Sequence, residues 1–273
     1  MSELDAITVR RLGEKGPVVL VLHGGPGAPG SARGLARMLS LRFSVWEPLQ
    51  RRSGTVPLSV AQHVEDLAAV APPSALIVGH SWGAMLGLSF AARYPATVSK
   101  LVLVGCGTYE EATRSKMREA VEQRLGPERR RRVAELEAQL VGETSPTQRA
   151  DALEQLGAIH AELETYAAIE TDAEQAELLP LDPEGHTETW HDVIRLQRDG
   201  LEPQAFSQIR APVLMIHGDH DRHPGVATRD LLRKYIPQLE YLTLERCGHE
   251  PWRERHAREA FAAALGGWLE PQC

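Results

Sequence analysis

The sequence predicts an α/β fold: a mostly parallel, twisted sheet with helices on both faces and a helical cap inserted into it. Over the first hundred residues, short runs rich in β-branched residues alternate with segments of helical periodicity. The same alternation returns near the carboxyl end, and the stretch between is rich in Glu, Ala, Leu, Gln and Arg. We therefore predict a core domain of residues 1–106 and 207–273 and a cap of residues 107–206.

Seven apolar runs bounded by Gly, Pro or polar residues have the length and composition of buried strands. They are Ile7–Leu12, Val18–Leu22, Phe43–Glu47, Ala75–Gly79, Leu101–Val104, Pro212–Ile216 and Leu239–Leu244. Apolar residues at helical spacing predict helices between and after these strands. The helices are expected near Val60–Ala68 and over Trp82–Arg93, Val226–Tyr235 and Arg253–Leu269. This order is typical of a sheet covered on both faces.

The inserted segment carries one clear helix start. Ser145-Pro146-Thr147-Gln148 has the capping-box pattern, with proline at the first helical position. Because Ser145 and Gln148 can each satisfy a backbone N–H of the first turn, a helix is expected to begin there. The segment is therefore predicted to be helical, without strands of its own.

Composition excludes several classes of protein. The 273 residues are 42% hydrophobic and 25% charged, which excludes a disordered chain. A formal net charge of -7 argues against nucleic acid or an anionic membrane surface as the partner, and three cysteines form no disulfide framework or zinc motif. An acidic amino terminus and the absence of a long apolar run favour a cytoplasmic protein acting on a small-molecule substrate. Oligomeric state stays open.

The strongest local signal is Gly79-His80-Ser81-Trp82-Gly83, a G-x-S-x-G pentapeptide between a predicted strand and a predicted helix. Glycines on both sides of the serine allow the strand and helix to approach closely around a tight turn. Such a turn exposes the Ser81 hydroxyl as a nucleophile, whereas a plain helix N-cap serine is the simpler structural alternative. We interpret Ser81 as a catalytic nucleophile.

A serine hydroxyl needs a base, and the base needs an anionic partner. The loop after the sixth predicted strand offers Asp219 and Asp221, and the loop after the seventh offers His249. Loops at the carboxyl ends of parallel strands converge on one edge of the sheet, so these side chains are expected to meet near Ser81. His249 is the predicted base. Asp221 is the favoured acid, with Asp219 left as the alternative.

A metal site is a competing interpretation of the same region. His217, Asp219, His220, Asp221 and His223 offer carboxylate and imidazole ligands suited to zinc or manganese. Neighbouring loop residues point in different directions, however, and the serine-based interpretation already explains the loop. We therefore predict neither a metal nor a cofactor.

Two backbone donors should stabilise the oxyanion that a serine nucleophile creates. The residue after the nucleophile, Trp82, is expected to supply one of them. The other should come from the loop His23-Gly24-Gly25-Pro26-Gly27, which follows the second predicted strand. Its glycines allow the chain to turn an amide toward a ligand, and Gly25 is the predicted donor.

These residues together resemble the α/β-hydrolase superfamily and, within it, the proline iminopeptidase group of serine peptidases. The resemblance covers about residues 5–106 and 207–269 and rests on the His23–Gly27 loop, Ser81-Trp82-Gly83, Gly218–Asp221 and Gly248-His249. It implies an α/β-hydrolase fold with a helical cap inserted after the strand that ends near Val104. It also implies cleavage of an ester or amide through an acyl-enzyme, as an aminopeptidase would do.

The substrate is less narrowly predicted. His80 stands where the peptidase group usually has glycine, a form commoner in esterases, lactonases and carbon-carbon bond hydrolases. Residues 107–208 contain 22 acidic and 11 basic side chains, which suits either a substrate with a free amine or solvated helix faces. Glu188, Trp190 and Asp192 are predicted to line the substrate pocket. A small-molecule receptor that uses the same pocket without turnover is the non-enzymatic alternative.

Overall fold

The computed structural model describes residues 7–141, 145–169 and 179–270. Its centre is a seven-stranded sheet in the order β1-β3-β2-β4-β5-β6-β7. The strands are β1 Val9–Leu12, β2 Val18–Leu22, β3 Ser44–Pro48, β4 Ala75–His80, β5 Val98–Val104, β6 Val213–Gly218 and β7 Leu239–Leu244. All neighbours run parallel except β1, which pairs antiparallel with β3. The predicted fold class is confirmed.

Helices cover both faces of the sheet. In the core they are α1 Arg33–Ser40, α2 Val60–Val70, α3 Trp82–Arg93, α7 Gly225–Leu232 and α8 Arg258–Leu269. Alternate residues of the central strands point to opposite faces, so Ile77 packs in the cluster beneath α2 and α3 while Val78 packs in the cluster beneath α1 and α8. Burial on both faces explains why these strands are continuously apolar rather than alternating.

Observed strands exceed several predicted ones at the edge where the site lies. β6 continues to Gly218 and β4 to His80, both beyond the apolar run that marked them in the sequence. His217 and His80 are nevertheless 1% and 4% exposed, because the loops above the sheet cover them. Polar residues at these strand ends therefore belong to the buried edge that carries the candidate site.

The segment between β5 and β6 is helical where the structure describes it. It contains α4 Glu111–Val141, α5 Pro146–Glu164, α6 Pro183–Arg198 and a 3-10 turn at Gln204–Gln208. The capping box of Ser145 and Gln148 is present, as the sequence predicts. α4 bends at Gly126, whose φ of 67° precedes Pro127. Leu136, Ala152 and Leu156 form a separate small core between α4 and α5.

No helix in the described ranges is both long enough and apolar enough to cross a membrane. The division into core and cap remains a prediction about independent units. Contacts described below show that the cap helices nevertheless reach both the loop after β2 and the loop that carries His249.

Candidate active site

Ser81 lies on a sharp turn between β4 and α3. Its backbone has φ 54° and ψ -117°, a left-handed conformation that side chains other than glycine rarely adopt. The turn is held by the backbone N–H of Ser81, which donates to Val104 O at 2.9 Å. Strain of this kind is typical of functional positions, because the surrounding structure must maintain it.

The two flanking glycines leave no room for a larger residue. A Cβ on Gly79 would lie 2.2 Å from Gly83 O, and one on Gly83 would lie 2.2 Å from Leu22 O. Both clashes are with backbone, which cannot move aside without separating the strand from the helix. The glycines of the G-x-S-x-G pattern are therefore steric requirements of this turn.

Asp221 and His249 meet at the same edge of the sheet. His249 Nδ1 donates to Asp221 Oδ2 at 2.7 Å, and both side chains are buried. Asp219 lies elsewhere, since its Oδ1 accepts the backbone N–H of Cys247 at 3.2 Å. Of the two candidate acids, Asp221 is therefore the one that contacts the imidazole.

Asp221 is surrounded by imidazoles. Its Oδ1 accepts from both the backbone N–H and the Nδ1 of His223 at 2.9 Å, and His217 Nε2 lies 3.2 Å from its Oδ2. Burial opposes ionisation, but His249, His223 and His217 together hold the pKa of Asp221 well below its usual value. A buried, ionised carboxylate is the partner that an active-site imidazolium needs.

The electrostatics of His249 follow from this carboxylate. Burial disfavours the imidazolium, but the charge of Asp221, its hydrogen bond and the nearby Glu164 raise the pKa of His249 to about 9. The ring also packs on Gly105, where a Cβ would lie 2.8 Å from its Nδ1. Gly105 directly follows β5 with a φ of 55°, so this glycine makes space for the imidazole.

Ser81 and His249 are neighbours without a hydrogen bond between their side chains. In the part of the chain that the structure describes, Ser81 Oγ makes no contact of hydrogen-bond length to His249 Nε2, while the ring of His80 lies 4.6 Å from that of His249. Catalytic hydrogen bonds are often long without substrate and tighten when it binds. The geometry is thus a preformed acid-base pair beside an unengaged serine.

The loop after β2 packs directly on the serine turn. A Cβ on Gly24 would lie 3.1 Å from Ser81 Cβ, so the loop could not come this close with a larger residue. Gln50 braces it: its backbone N–H and Nε2 donate to His23 Nε2 and His23 O, both at 3.1 Å. Trp82 Nε1 donates to Gln50 Oε1 at 2.7 Å and ties the loop to the start of α3. Gln50 is a residue that sequence reasoning missed.

A cavity of about 210 Å³ opens beside Ser81. Its lining includes both predicted backbone donors, Gly25 and Trp82, and apolar walls from Met85, Met117 and Trp190. Polar side chains reach it from His186, Arg222 and His223, and none of its described lining residues is a carboxylate. The cavity thus combines apolar walls with a few nitrogen-bearing groups.

Trp190 lines this cavity, whereas the other two predicted lining residues lie elsewhere. Glu188 Oε2 accepts the backbone N–H of Leu58, and Asp192 Oδ2 accepts that of Val60, both at 2.9 Å. The prediction that Glu188 and Asp192 line the pocket is therefore corrected: they satisfy backbone donors at the start of α2. The carboxylates face a helix N-terminus because N–H groups there are unpaired and attract negative charge.

Glu254 fastens the end of the cap helix to the loop of His249. Its side chain is 0% exposed and accepts the backbone N–H groups of Gly248, Tyr166 and Ala167 at 2.7 to 2.9 Å. The backbone N–H of His249 also donates to Glu164 O at 2.7 Å. Position of the imidazole therefore depends on contacts with the inserted segment.

Glu254→Gln is expected to lower the free energy of unfolding by about 2 kcal/mol, because an amide cannot accept all three backbone donors as a carboxylate does. Denaturant unfolding measures this change. The exposed Glu259→Gln on α8 is the matched control. Equal stability of the two variants would contradict the role of Glu254.

Three of the site residues could also ligate a metal. One ligand atom from each of Asp221, His223 and His249 lies within 4.8 Å of the others. The distances of 2.7 and 2.9 Å are those of hydrogen bonds from imidazole Nδ1 to carboxylate oxygen, so a metal would have to displace both protons. Asp219 and His220 of the sequence-predicted cluster do not join this group.

The chain belongs to the alpha/beta hydrolase fold family, whose model matches residues 59–252. No curated protein matches the sequence. The solved structure of VinJ is similar, with a TM-score of 0.70 at 21% identity over 96% of this chain and 93% of that one. A thermophilic esterase from Thermogutta terrifontis, with malate bound, has a TM-score of 0.61 at 19% identity over 96% and 92%.

A meta-cleavage product hydrolase, CumD, has a TM-score of 0.62 at 21% identity over 96% of this chain and 93–94% of its own length, with 94% covered. Identities this low establish a shared fold only. The predicted α/β-hydrolase membership is confirmed. The narrower resemblance to proline iminopeptidases stays a prediction.

Proposed function

We propose that the protein is a serine hydrolase that cleaves an ester or amide bond of a small substrate through an acyl-enzyme. One observation carries the proposal: a buried Asp221–His249 pair, joined at 2.7 Å, lies beside a serine held in left-handed backbone on a strand-to-helix turn. A structural N-cap serine would need neither the strained backbone nor the ionised partner pair.

In the first half of the reaction, Ser81 Oγ attacks the carbonyl carbon and its proton passes to His249 Nε2. Asp221 holds His249 with Nδ1 protonated, which leaves Nε2 free to accept, and then stabilises the imidazolium. The negative charge that develops on the carbonyl oxygen is met by the N–H groups of Trp82 and Gly25, both of which line the cavity.

In the second half, the bond to the leaving group breaks and His249 gives that group its proton. Water then enters, gives a proton to His249 Nε2 and adds its oxygen to the acyl carbon. Ser81 leaves with the proton from His249, which regenerates the enzyme and releases the acid. No group beyond these residues and water is required for the proton balance.

The cavity favours an uncharged ester or amide over a substrate with a free amine. Arg222, His186 and His223 reach it, and its described lining has no carboxylate to pair with an ammonium group. Acidic residues of the cap serve other purposes where described: Glu188 and Asp192 hold α2, and Glu111 pairs with Arg114 and Arg118. Acidity of the cap is thus better explained by structural contacts than by substrate charge.

The test is a substrate panel of aryl esters, lactones and amino-acid anilides with free and blocked amines. We expect ester turnover by the wild type, and among anilides we expect blocked forms to be cleaved at least as well as free ones. Background is set by Ser81→Ala. Failure to turn over any member would favour the receptor alternative, and a strict requirement for the free amine would restore the aminopeptidase interpretation.

The pH dependence follows from the pKa of about 9 for His249. Below this pKa the ring is an imidazolium and cannot accept the Ser81 proton, so kcat/KM should rise by about tenfold per pH unit from pH 6 to pH 8. Initial rates on an aryl ester, corrected for spontaneous hydrolysis, measure the profile. An acidic limb at or below the ordinary imidazole value of about 6.5 would contradict this geometry.

A further inference from the structure

His223 is the imidazole of the Asp221 cluster that faces the cavity. Its ring stacks on that of His249, with centroids 4.7 Å apart and 26° between the planes. His223 lines the cavity together with Ser81, whereas His249 is 4% exposed and is not among the described lining residues. A substrate that reaches Ser81 therefore enters a space bounded by the His223 ring.

Hydrogen bonds determine which nitrogen of His223 carries its proton. Nδ1 lies 2.9 Å from Asp221 Oδ1, and an ionised carboxylate only accepts, so Nδ1 is the donor. Burial lowers the pKa of His223 against the opposing effect of Asp221. The ring is consequently neutral, and its Nε2 has a lone pair free to accept a hydrogen bond.

Nothing in the proposed reaction uses that lone pair. His249 accepts and returns every proton, and the Trp82 and Gly25 amides stabilise the oxyanion. The cavity wall is otherwise apolar around Met85, Met117 and Trp190. An acceptor held rigidly by Asp221 in such a wall discriminates between ligands, because a matching donor satisfies it and an apolar group leaves it unpaired.

We propose that His223 determines substrate specificity: its Nε2 accepts a hydrogen bond from the substrate, and the enzyme prefers esters or amides with a hydroxyl or N–H group close to the scissile carbonyl. This inference rests on the proposed function. It narrows the substrate class without altering the roles of Ser81, Asp221 and His249.

Two variants separate substrate binding from the positioning of Asp221. His223→Asn keeps a donor in reach of Asp221 Oδ1, since its Nδ2 can replace the ring Nδ1, but it lacks the outer acceptor. His223→Gln places an amide oxygen near the former Nε2 and loses the bond from Nδ1. The exposed His191→Asn on α6 is the control, and thermal unfolding verifies that all three variants fold.

The readout is the ratio of kcat/KM for matched substrates with and without a hydroxyl. One pair, p-nitrophenyl lactate and propionate, differs in the acyl group. The other, 2-hydroxyethyl and ethyl benzoate, differs in the alcohol. Comparing each ratio between variants cancels the intrinsic reactivity of the esters.

In at least one pair, we expect the wild-type ratio to fall about fivefold to tenfold in His223→Asn and to stay within about twofold in His223→Gln. A merely structural role would lower kcat for both members of a pair and leave the ratio unchanged. Unchanged ratios in His223→Asn, or equal losses in both variants, would overturn the proposal. Turnover of no ester by the wild type would instead refute the proposed function.

Discussion

Replacing Ser81 by alanine is expected to lower kcat/KM for an aryl ester by about a million-fold, to the level left by binding and the backbone donors alone. The size of the effect follows from the proposed mechanism, since no other described hydroxyl lies on the strained turn beside Asp221 and His249. Steady-state kinetics on purified protein, with activity referred to folded enzyme, give the ratio.

Ser99→Ala is the matched control for this loss. Ser99 lies near the amino end of β5, away from the site, and its Oγ donates to Ser74 O at 2.8 Å. We expect its kcat/KM to stay within about twofold of wild type, as for most surface changes. A fall of less than tenfold in Ser81→Ala would show that another group supplies the nucleophile.

Asp221→Asn is expected to lower kcat/KM by about ten-thousand-fold. The asparagine amide would favour the wrong tautomer of His249 and would no longer stabilise the imidazolium, although it occupies the same volume. Loss of the carboxylate also removes the charge that raises the pKa of His249, so the acidic limb of the pH profile should move to lower pH.

Asp219→Asn separates this effect from general damage to the loop. Asp219 accepts the Cys247 N–H through Oδ1, a bond that an asparagine oxygen can retain. Its kcat/KM should change by less than about threefold, in line with a conservative substitution outside the site. Similar losses in both variants would remove the distinction between the two acids.

Much of the fold could be predicted from the sequence because its central strands are buried on both faces. Continuous apolar runs such as Ile77 and its neighbours are visible without a structure, and Trp82–Arg93 has the predicted helix bounds. Strand ends were underestimated where histidines replace apolar residues, as at His217. Burial of those histidines depends on loops that are distant in sequence.

The loops of the candidate site were also predictable, because parallel strands bring their carboxyl ends together. Choosing between Asp219 and Asp221 was not settled by position, since loop residues two apart point in different directions. Only the 2.7 Å contact with His249 separates them. Catalytic roles for these residues remain proposals that the kinetics above address.

Pocket-lining and bracing residues were the weakest part of the sequence analysis. Glu188 and Asp192 lie close to Trp190 in sequence, yet helical periodicity directs them to α2 and directs Trp190 to the cavity. Gln50 and Glu254 act through backbone groups of distant loops, which leave no pattern in a single sequence. Contacts between separate loops therefore need the folded structure.

Mapping the site of covalent modification tests the central claim most directly. The protein is treated with a fluorophosphonate probe, digested and analysed by mass spectrometry, with wild type compared with Ser81→Ala and Ser99→Ala. We expect a single adduct on Ser81, equal labelling of Ser99→Ala, and none in Ser81→Ala. Unchanged labelling of Ser81→Ala, or an adduct on another residue, would contradict the assignment of Ser81 as the nucleophile.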